Sequence, residues 1–450
     1  MKKKVLYTLI GLAVLLLTVY LLRYNQSQVF EHRVPKSATK VVNVHLRQIE
    51  NNLLFDFLAH PIIYLKSKLR KDSLKRKKFP FANGVEIPEN ILFFSNATSL
   101  DNHWFSSVFN VKDQENLTSY FLQEKFVKSN VEGMEFYSKG NWVIAIHENK
   151  LLLVIKRNHT AEISKIVASV FNEKAFLHQT SELLKPIILN ESDVSFSSKE
   201  HGFLEANFKE GIFEISGNLD SDFFIADAYP IIKGNPISYL TAKVNKDNLF
   251  FQNFVLNTAD KFKELTHLSL DSIVNKWDGK FYLKIDAIEN KTDSIITYDY
   301  DDDFNKVEKM AIEKKNIPNL RIKLGQESPS NLWRYFWSKN AIQLHKGDTV
   351  FTTIPIYQFM ATDAKENLEL SVNNSVDQIH SKEISSKLNF YVDVEKYLQK
   401  PLDLPLKPNQ KKVLDLIRKS SIHLSENNEF VLKIELKNRS RNFLGQLIKH

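Results

Sequence analysis

Residues 5–22 read VLYTLIGLAVLLLTVYLL, 18 positions without a charge, between Lys2, Lys3 and Lys4 on one side and Arg23 on the other. As a helix this run spans about 27 Å, close to the roughly 30 Å of bilayer hydrocarbon. The flank from Leu21 to Gln26 lacks the small residues that a signal peptidase needs. The pattern predicts an uncleaved transmembrane signal anchor over residues 1–24, with the lysines cytoplasmic and the body carried across the membrane. A polar linker, residues 25–40, follows.

Strand and helix periods then interleave. Val42, Val44 and Leu46 alternate with Asn43 and His45, and Ile49, Leu53, Leu54, Phe57 and Leu58 recur at helical spacing before Pro61. Residues 91–94 and 104–111 read as strands, and 115–127 as a helix entered at Asp113. Residues 142–147 and 151–155 read as a hairpin whose second strand is an unbroken apolar run suited to the middle of a sheet, and 161–171 as a closing helix. Further on, hairpins are expected at 202–208 with 212–218, at 279–288 with 294–300, and at 341–344 with 350–356. NFYVDVEKYLQ repeats the strand-to-helix layout of NVHLRQIENNL, with Val42, Val44, Leu46 and Ile49 matching Phe390, Val392, Val394 and Tyr397.

Runs of strands between helices, without regular βαβ alternation, predict the α+β class. The expected architecture is an N-terminal transmembrane helix followed by two modules of mainly antiparallel sheet with packed helices. The first covers residues 41–188. The second, more β-rich, covers 189–450 and ends in a strand-helix-strand part over 386–450, with the boundary near 186–193.

Composition narrows the chemistry. In 450 residues, hydrophobic side chains make up 43 % and charged ones 25 %, as in folded soluble bodies, and cysteine is absent, which excludes disulfide scaffolds and Cys-ligated metals. The net charge of +8 is local: the anchor flank carries +4 and residues 66–78 carry +7, which leaves −3 for the rest. A general nucleic-acid binder is therefore not expected. Glycines are too sparse for a phosphate-cradling loop, the nearest pair being Gly211 and Gly217, and the histidines are too dispersed for a zinc helix, so no cofactor is expected. The tetrad at residues 37–40 (SATK) fits S-x-x-K but lacks its SDN and KTG partners and reads as linker. Asp299, Asp301, Asp303 and Asn305 imitate half of a calcium loop, but Phe304 stands where a glycine is needed and Met310 where a glutamate is needed. They read instead as the end of a strand at Tyr300 and the capped start of a helix near Asn305, with no metal.

Two features suggest contacts. Lys66, Lys68, Arg70, Lys71, Lys75, Arg76, Lys77 and Lys78, opposed by Asp72 alone, form a solvated surface or a contact with anionic lipid headgroups or an envelope polymer. Trp333, Tyr335 and Trp337, beside Phe336 in NLWRYFWSKN, are either core or a patch for stacking on sugar or sitting at a membrane interface.

The apolar N-terminus, VPKSATKVVNVHLRQIE, the hairpin NWVIAIHENKLLLVIK and the late NEFVLKIELKNRSRNFLGQLI together resemble single-pass envelope proteins of Gram-negative bacteria known as domains of unknown function. The resemblance implies architecture and location and carries no catalytic residue. The expected function is a membrane-anchored, extracytoplasmic, non-enzymatic binding or scaffold protein. A hydrolase of an envelope polymer using two carboxylates, and a lipid-binding protein whose β-rich second half encloses an apolar groove, are the alternatives.

Overall fold

The computed structural model describes residues 30–64, 84–96, 104–131, 133–156, 163–230, 232, 234–300, 306–353, 357–372, 383–402 and 406–447. The apolar run 5–22 and the basic run 66–78 lie outside them. The described residues form two compact units, 30–209 with 441–447, and 210–440.

In the first unit the order is β1 (Lys40–His45), α1 (Leu46–Ala59), β2 (Asn90–Ser95), β3 (Trp104–Asn110), α2 (Gln114–Gln123), β4 (Val127–Val131), β5 (Met134–Lys139), β6 (Trp142–His147) and β7 (Lys150–Lys156). Then come α3 (Ile163–Val167), continued by a π turn over Ala168–Asn172, α4 (Lys185–Ile188), β8 (Val194–Ser198) and β9 (Gly202–Lys209). The strands pair side by side as β9-β8-β1-β2-β3-β7-β6-β5-β4, every pair antiparallel. The apolar run in β7 is buried on both faces, as its unbroken pattern requires. Val143, Ala145, Leu152 and Val154 pack with Ile166, Val170, Phe171 and Leu184 on one side. Ile144, Ile146, Leu151 and Leu153 pack with Leu117 and Phe121 of α2 on the other. Asp113 caps α2, its carboxylate accepting the Asn116 N–H at 3.0 Å.

Helix α1 inverts the usual arrangement. Its buried residue is Asp56, while Leu54, Phe55 and Leu58, and Ile62 just beyond, are exposed. Asp56 is held by the returning C-terminal segment: it accepts the Asn442 N–H at 2.9 Å, lies 3.4 Å from the Arg441 guanidinium, and accepts the Tyr64 hydroxyl. A Cβ on Gly445, in the short helix Phe443–Leu447, would sit 2.5 Å from that hydroxyl, so the position admits only glycine without movement.

The second unit contains β10 (Ile212–Leu219), β11 (Asp227–Pro230), β12 (Ser238–Lys243), α5 (Leu249–Thr266), α6 (Leu270–Lys276), β13 (Trp277–Tyr300), β14 (Lys306–Gln326) and α7 (Asn331–Ser338). It continues with β15 (Ile342–His345), β16 (Asp348–Phe351), β17 (Phe359–Asp363), β18 (Asn367–Ser371), β19 (Glu383–Ser386), β20 (Leu388–Asp393), α8 (Val394–Gln399), α9 (Pro408–Leu416), β21 (Ile417–Leu424) and β22 (Glu429–Leu436). Its main sheet runs β10-β22-β21-β20-β12-β13-β14-β18-β17-β16-β15, again antiparallel throughout. Strands β11 and β19 form a separate pair. The core gathers Leu332, Tyr335 and Phe336 of α7 with Ile342, Phe351, Phe359, Leu368 and Leu370.

The expected fold class is corrected. Antiparallel sheet dominates both units, and among the described residues no helix is long and apolar enough to cross a membrane. Two local misreadings account for much of the difference. The helix expected to reach residue 127 ends at Gln123, and residues 127–139, for which the sequence predicts no element beyond that helix end, are the hairpin β4–β5, whose outer strand is exposed throughout and so has no alternation to betray it. Residues 277–300, expected as a hairpin, are one strand, and the helix expected from Asn305 is strand β14 from Lys306. There, 19 cross-strand pairs outweigh the turn and capping preferences of Asn290, Asp293 and the Asp cluster.

Candidate functional site

The residues singled out from the sequence separate. Lys66, Lys68, Arg70, Lys71, Lys75, Arg76, Lys77 and Lys78 lie outside the described residues, as do Asp301 and Asp303. Tyr335 is core, whereas Trp333 and Trp337 stack on each other 5.9 Å apart at 24°, with Trp337 exposed. The aromatic group is thus part core and part surface. Among the described residues no three His, Asp or Glu side chains converge as metal ligands would.

A surface of a different kind emerges from strand register in the second unit. Residues directly opposite in an antiparallel sheet share a face, so the pairings define rows across the strands. One row reads Ile215, Leu432, Ile422, Phe390, Leu240, Leu283, Ile322 and Leu370. Two residues along, the same face carries Phe213, Ile434, Val392 and Ile285. The opposite face carries Glu214, Lys433, Ser421, Tyr391, Tyr239, Lys284 and Arg321.

Burial does not sort the two faces, since Glu214, Lys433, Ser421, Tyr391 and Tyr239 of the polar row are half-buried as well and Leu370 of the apolar row is buried. Thr241, Tyr282, Lys284 and Arg321 on the polar face are buried, while Ile215, Leu432, Ile422, Phe390, Leu240 and Leu283 on the apolar face are only half-buried. The core cluster takes up Leu320, Ile322 and Leu324 at one end of the apolar face, and the row continues past it. Five strand spacings separate Ile215 from Leu283, a length of about 24 Å.

The polar face is stable because its groups are paired. Lys284 bonds Asp286 at 2.9 Å, Lys323 bonds Glu369 at 2.7 Å, and Asn389 lies 2.6 Å from the His423 ring. The β11 strand brings Asp227 to Lys243 at 3.1 Å and to Lys280 at 3.2 Å. Burial pushes the Asp227 carboxyl up, but the two ammonium groups outweigh it and hold it below the usual range. Tyr239 and Tyr391 stack 5.5 Å apart, and burial raises both phenols. This face holds the sheet together, which leaves the apolar face as the binding candidate.

Helix α5 adds to the apolar surface. Val255 is its buried residue, whereas Leu249, Phe250, Phe254, Leu256 and Leu265 are all more than half exposed. No element of pairing in the sequence announces the row, because its members come from separate strands. Only the echo around Phe390 and Val392 touched it.

No family model matches the chain, and no curated protein matches it. Among solved structures, crystal form III of the protein TP0453 aligns over 50 % of this chain and 86 % of its own, at 11 % identity and a TM-score of 0.28. Crystal form I of the same protein aligns over 77 % and 92 %, at 8 % identity and a TM-score of 0.23. Neither score reaches the level of a shared fold.

Proposed function

We propose that this chain is a non-enzymatic binding protein of the bacterial envelope, attached to the inner membrane by its N-terminal apolar run with its body in the periplasm, and that its ligand is an amphiphile. The half-buried apolar row from Ile215 to Leu283 carries the reading. At about 24 Å it exceeds the roughly 15 Å of hydrocarbon in one bilayer leaflet, so an acyl chain can lie along it. The exposed apolar side chains of α5 supply further surface of the same character. On the first unit, the exposed Leu54, Phe55, Leu58 and Ile62 come just before the basic run, a sequence suited to an anionic membrane surface.

A photoreactive fatty acid incubated with the membrane-embedded chain tests the ligand class. Cross-links are expected on peptides holding Leu240, Phe390, Ile422 and Leu432, and to disappear in Leu240→Asp. Labelling that avoids these strands sinks the reading. A reporter fused after His450 tests the location separately, since activity in the cytoplasm overturns it.

A further inference from the structure

In the first unit, residues 31–36 and 174–179 run side by side. The Lys36 N–H donates to the Ala175 carbonyl at 2.9 Å, and the Leu177 N–H to the Val34 carbonyl at 2.8 Å. An open cleft of about 610 Å³ lies against them, lined by Glu31, His32, Lys36, Lys174, Phe176 and His178 among others. That volume falls within the range of small-molecule sites, about 300–1,000 Å³.

The cleft brings two lysines, Lys36 and Lys174, into its lining. Lys36 and Lys174 are exposed, and among the described residues neither forms an ion pair. Lys150 stands with its Nζ 5.4 Å from the centre of the Phe176 ring. Burial holds its ammonium below the usual range, and the nearby Arg33 and Lys174 charges push the same way, with Glu148 offsetting them in part. The Arg33 guanidinium is buried beside it and donates to the Val108 carbonyl at 2.7 Å. Glu31 is the one carboxylate in the lining.

His32 (φ +53°) and Lys174 (φ +49°), one in each segment, are two of ten non-glycine residues with left-handed φ among the described residues. The His32 ring stands edge-on to Phe176 at 5.5 Å and 84°, so the phenyl ring is fixed between a histidine and an ammonium.

We propose that this cleft binds a phosphate monoester, its phosphoryl group between Lys36 and Lys174 and its organic part against Phe176. The phosphoryl dianion matches two unpaired ammonium groups and two imidazoles able to donate. Glu31 weakens the attraction for a bare anion, so contact with the ring supplies part of the affinity and selects an ester over inorganic phosphate. The site lies wholly in the first unit and stands apart from the amphiphile reading of the second. A lipid bearing a terminal phosphate and a soluble phosphate ester present the same group.

Calorimetry on the full chain in nanodiscs of neutral phosphatidylcholine separates these sources, using phenyl phosphate, inorganic phosphate and dihexanoyl phosphatidic acid as probes. Phenyl phosphate should bind one per chain and more tightly than inorganic phosphate. Lys36→Gln with Lys174→Gln, both exposed positions, should weaken it about tenfold or more while leaving the melting temperature unchanged. Phe176→Leu should erase the preference for the ester. Stronger binding of the phosphatidic acid assigns the site to a lipid headgroup, and stronger binding of phenyl phosphate to a soluble ester. No heat at millimolar probe, or equal affinity in the double variant, overturns the proposal.

Discussion

The Tyr335 hydroxyl accepts the Ser269 backbone N–H at 3.0 Å, which ties α7 to the first turn of α6. Ser269 is also the cap of that helix, its own hydroxyl accepting the Ser272 N–H at 3.2 Å. One side chain of the aromatic group therefore fixes a helix start, while its neighbour Trp337 faces solvent. Tyr335→Phe should cost about 1–3 kcal/mol by leaving the Ser269 donor unpaired. Trp337→Ala should cost about 1 kcal/mol, the stacking on Trp333. Urea unfolding of each variant checks the order, and equal losses would mean that the two residues share one environment.

Arg441 and Asp56 are both almost fully buried, so removing Arg441 leaves the Asp56 carboxylate to the Tyr64 and Asn442 hydrogen bonds and His60 alone. Arg441→Met should destabilise the first unit by about 3 kcal/mol. Adding Asp56→Asn should recover part of that loss, because the two substitutions act on one contact. A strictly additive double variant would show that the pair is not coupled.

Asp56 and Asp193 should respond to pH in opposite senses. Burial raises Asp56, but the Tyr64 hydroxyl, the Asn442 N–H and Arg441 outweigh it, so its folded pKa is depressed. Its contribution to stability is present above the unfolded value of about 3.9 and is lost as pH falls through the folded one. For Asp193, burial wins over the hydrogen bonds from Phe208 and Asn52, so the folded pKa is raised. Its contribution is present below about 3.9 and is lost as pH rises through the folded value. The deficit of Asp56→Asn measured by urea unfolding should therefore shrink on acidification, and a deficit independent of pH would contradict the assigned charge.

Gly279 and Gly140 separate two costs of replacing a glycine. Both have left-handed φ, +93° and +56°, but a Cβ on Gly279 would lie 2.3 Å from the Val244 carbonyl oxygen while one on Gly140 meets nothing within 4 Å. Gly140→Ala should cost about 1–2 kcal/mol, the backbone penalty alone. Gly279→Ala should cost distinctly more, and equal losses in thermal unfolding would locate the constraint in the backbone only.

The basic run and the exposed side of α1 should act together on anionic membranes. A basic side chain near such a surface is worth about 1 kcal/mol and is screened beyond a Debye length of roughly 8 Å. Replacing Lys75, Arg76, Lys77 and Lys78 by Gln should weaken low-salt recruitment of the chain freed of residues 1–24 to anionic liposomes. Phe55→Ser with Leu58→Ser should weaken the recruitment that survives high salt. Unchanged recruitment in both variants removes the membrane-surface contact.

What was legible in the sequence was local. The double-faced burial of β7 follows from its unbroken run of Leu151 to Ile155, and the start of α2 from Asp113. The strand-to-helix echo also stands, as β1 into α1 and β20 into α8, the latter capped by Asp393 through the Lys396 N–H at 2.9 Å. The apolar row was not legible, since Ile215, Leu240, Phe390 and Leu432 come together only through register across strands distant in the chain. The same holds for the cleft, where Lys36 and Lys174 share one lining because Pro35 bridges Phe176. Asp56 stands among the apolar positions of α1 with nothing nearby in sequence to signal the guanidinium it pairs with.

That guanidinium arrives late. Arg441 follows Asp56 by 385 positions, about 20–80 s of synthesis at roughly 5–20 residues per second. The whole second unit emerges in that interval, so until then the Asp56 carboxylate has His60 and the Tyr64 hydroxyl as partners but lacks the guanidinium and the Asn442 N–H. The Arg441–Asp56 contact therefore cannot form before the second unit has been synthesised. A nascent protein halted before Arg441 should be cut more readily by protease than one carried through residue 447.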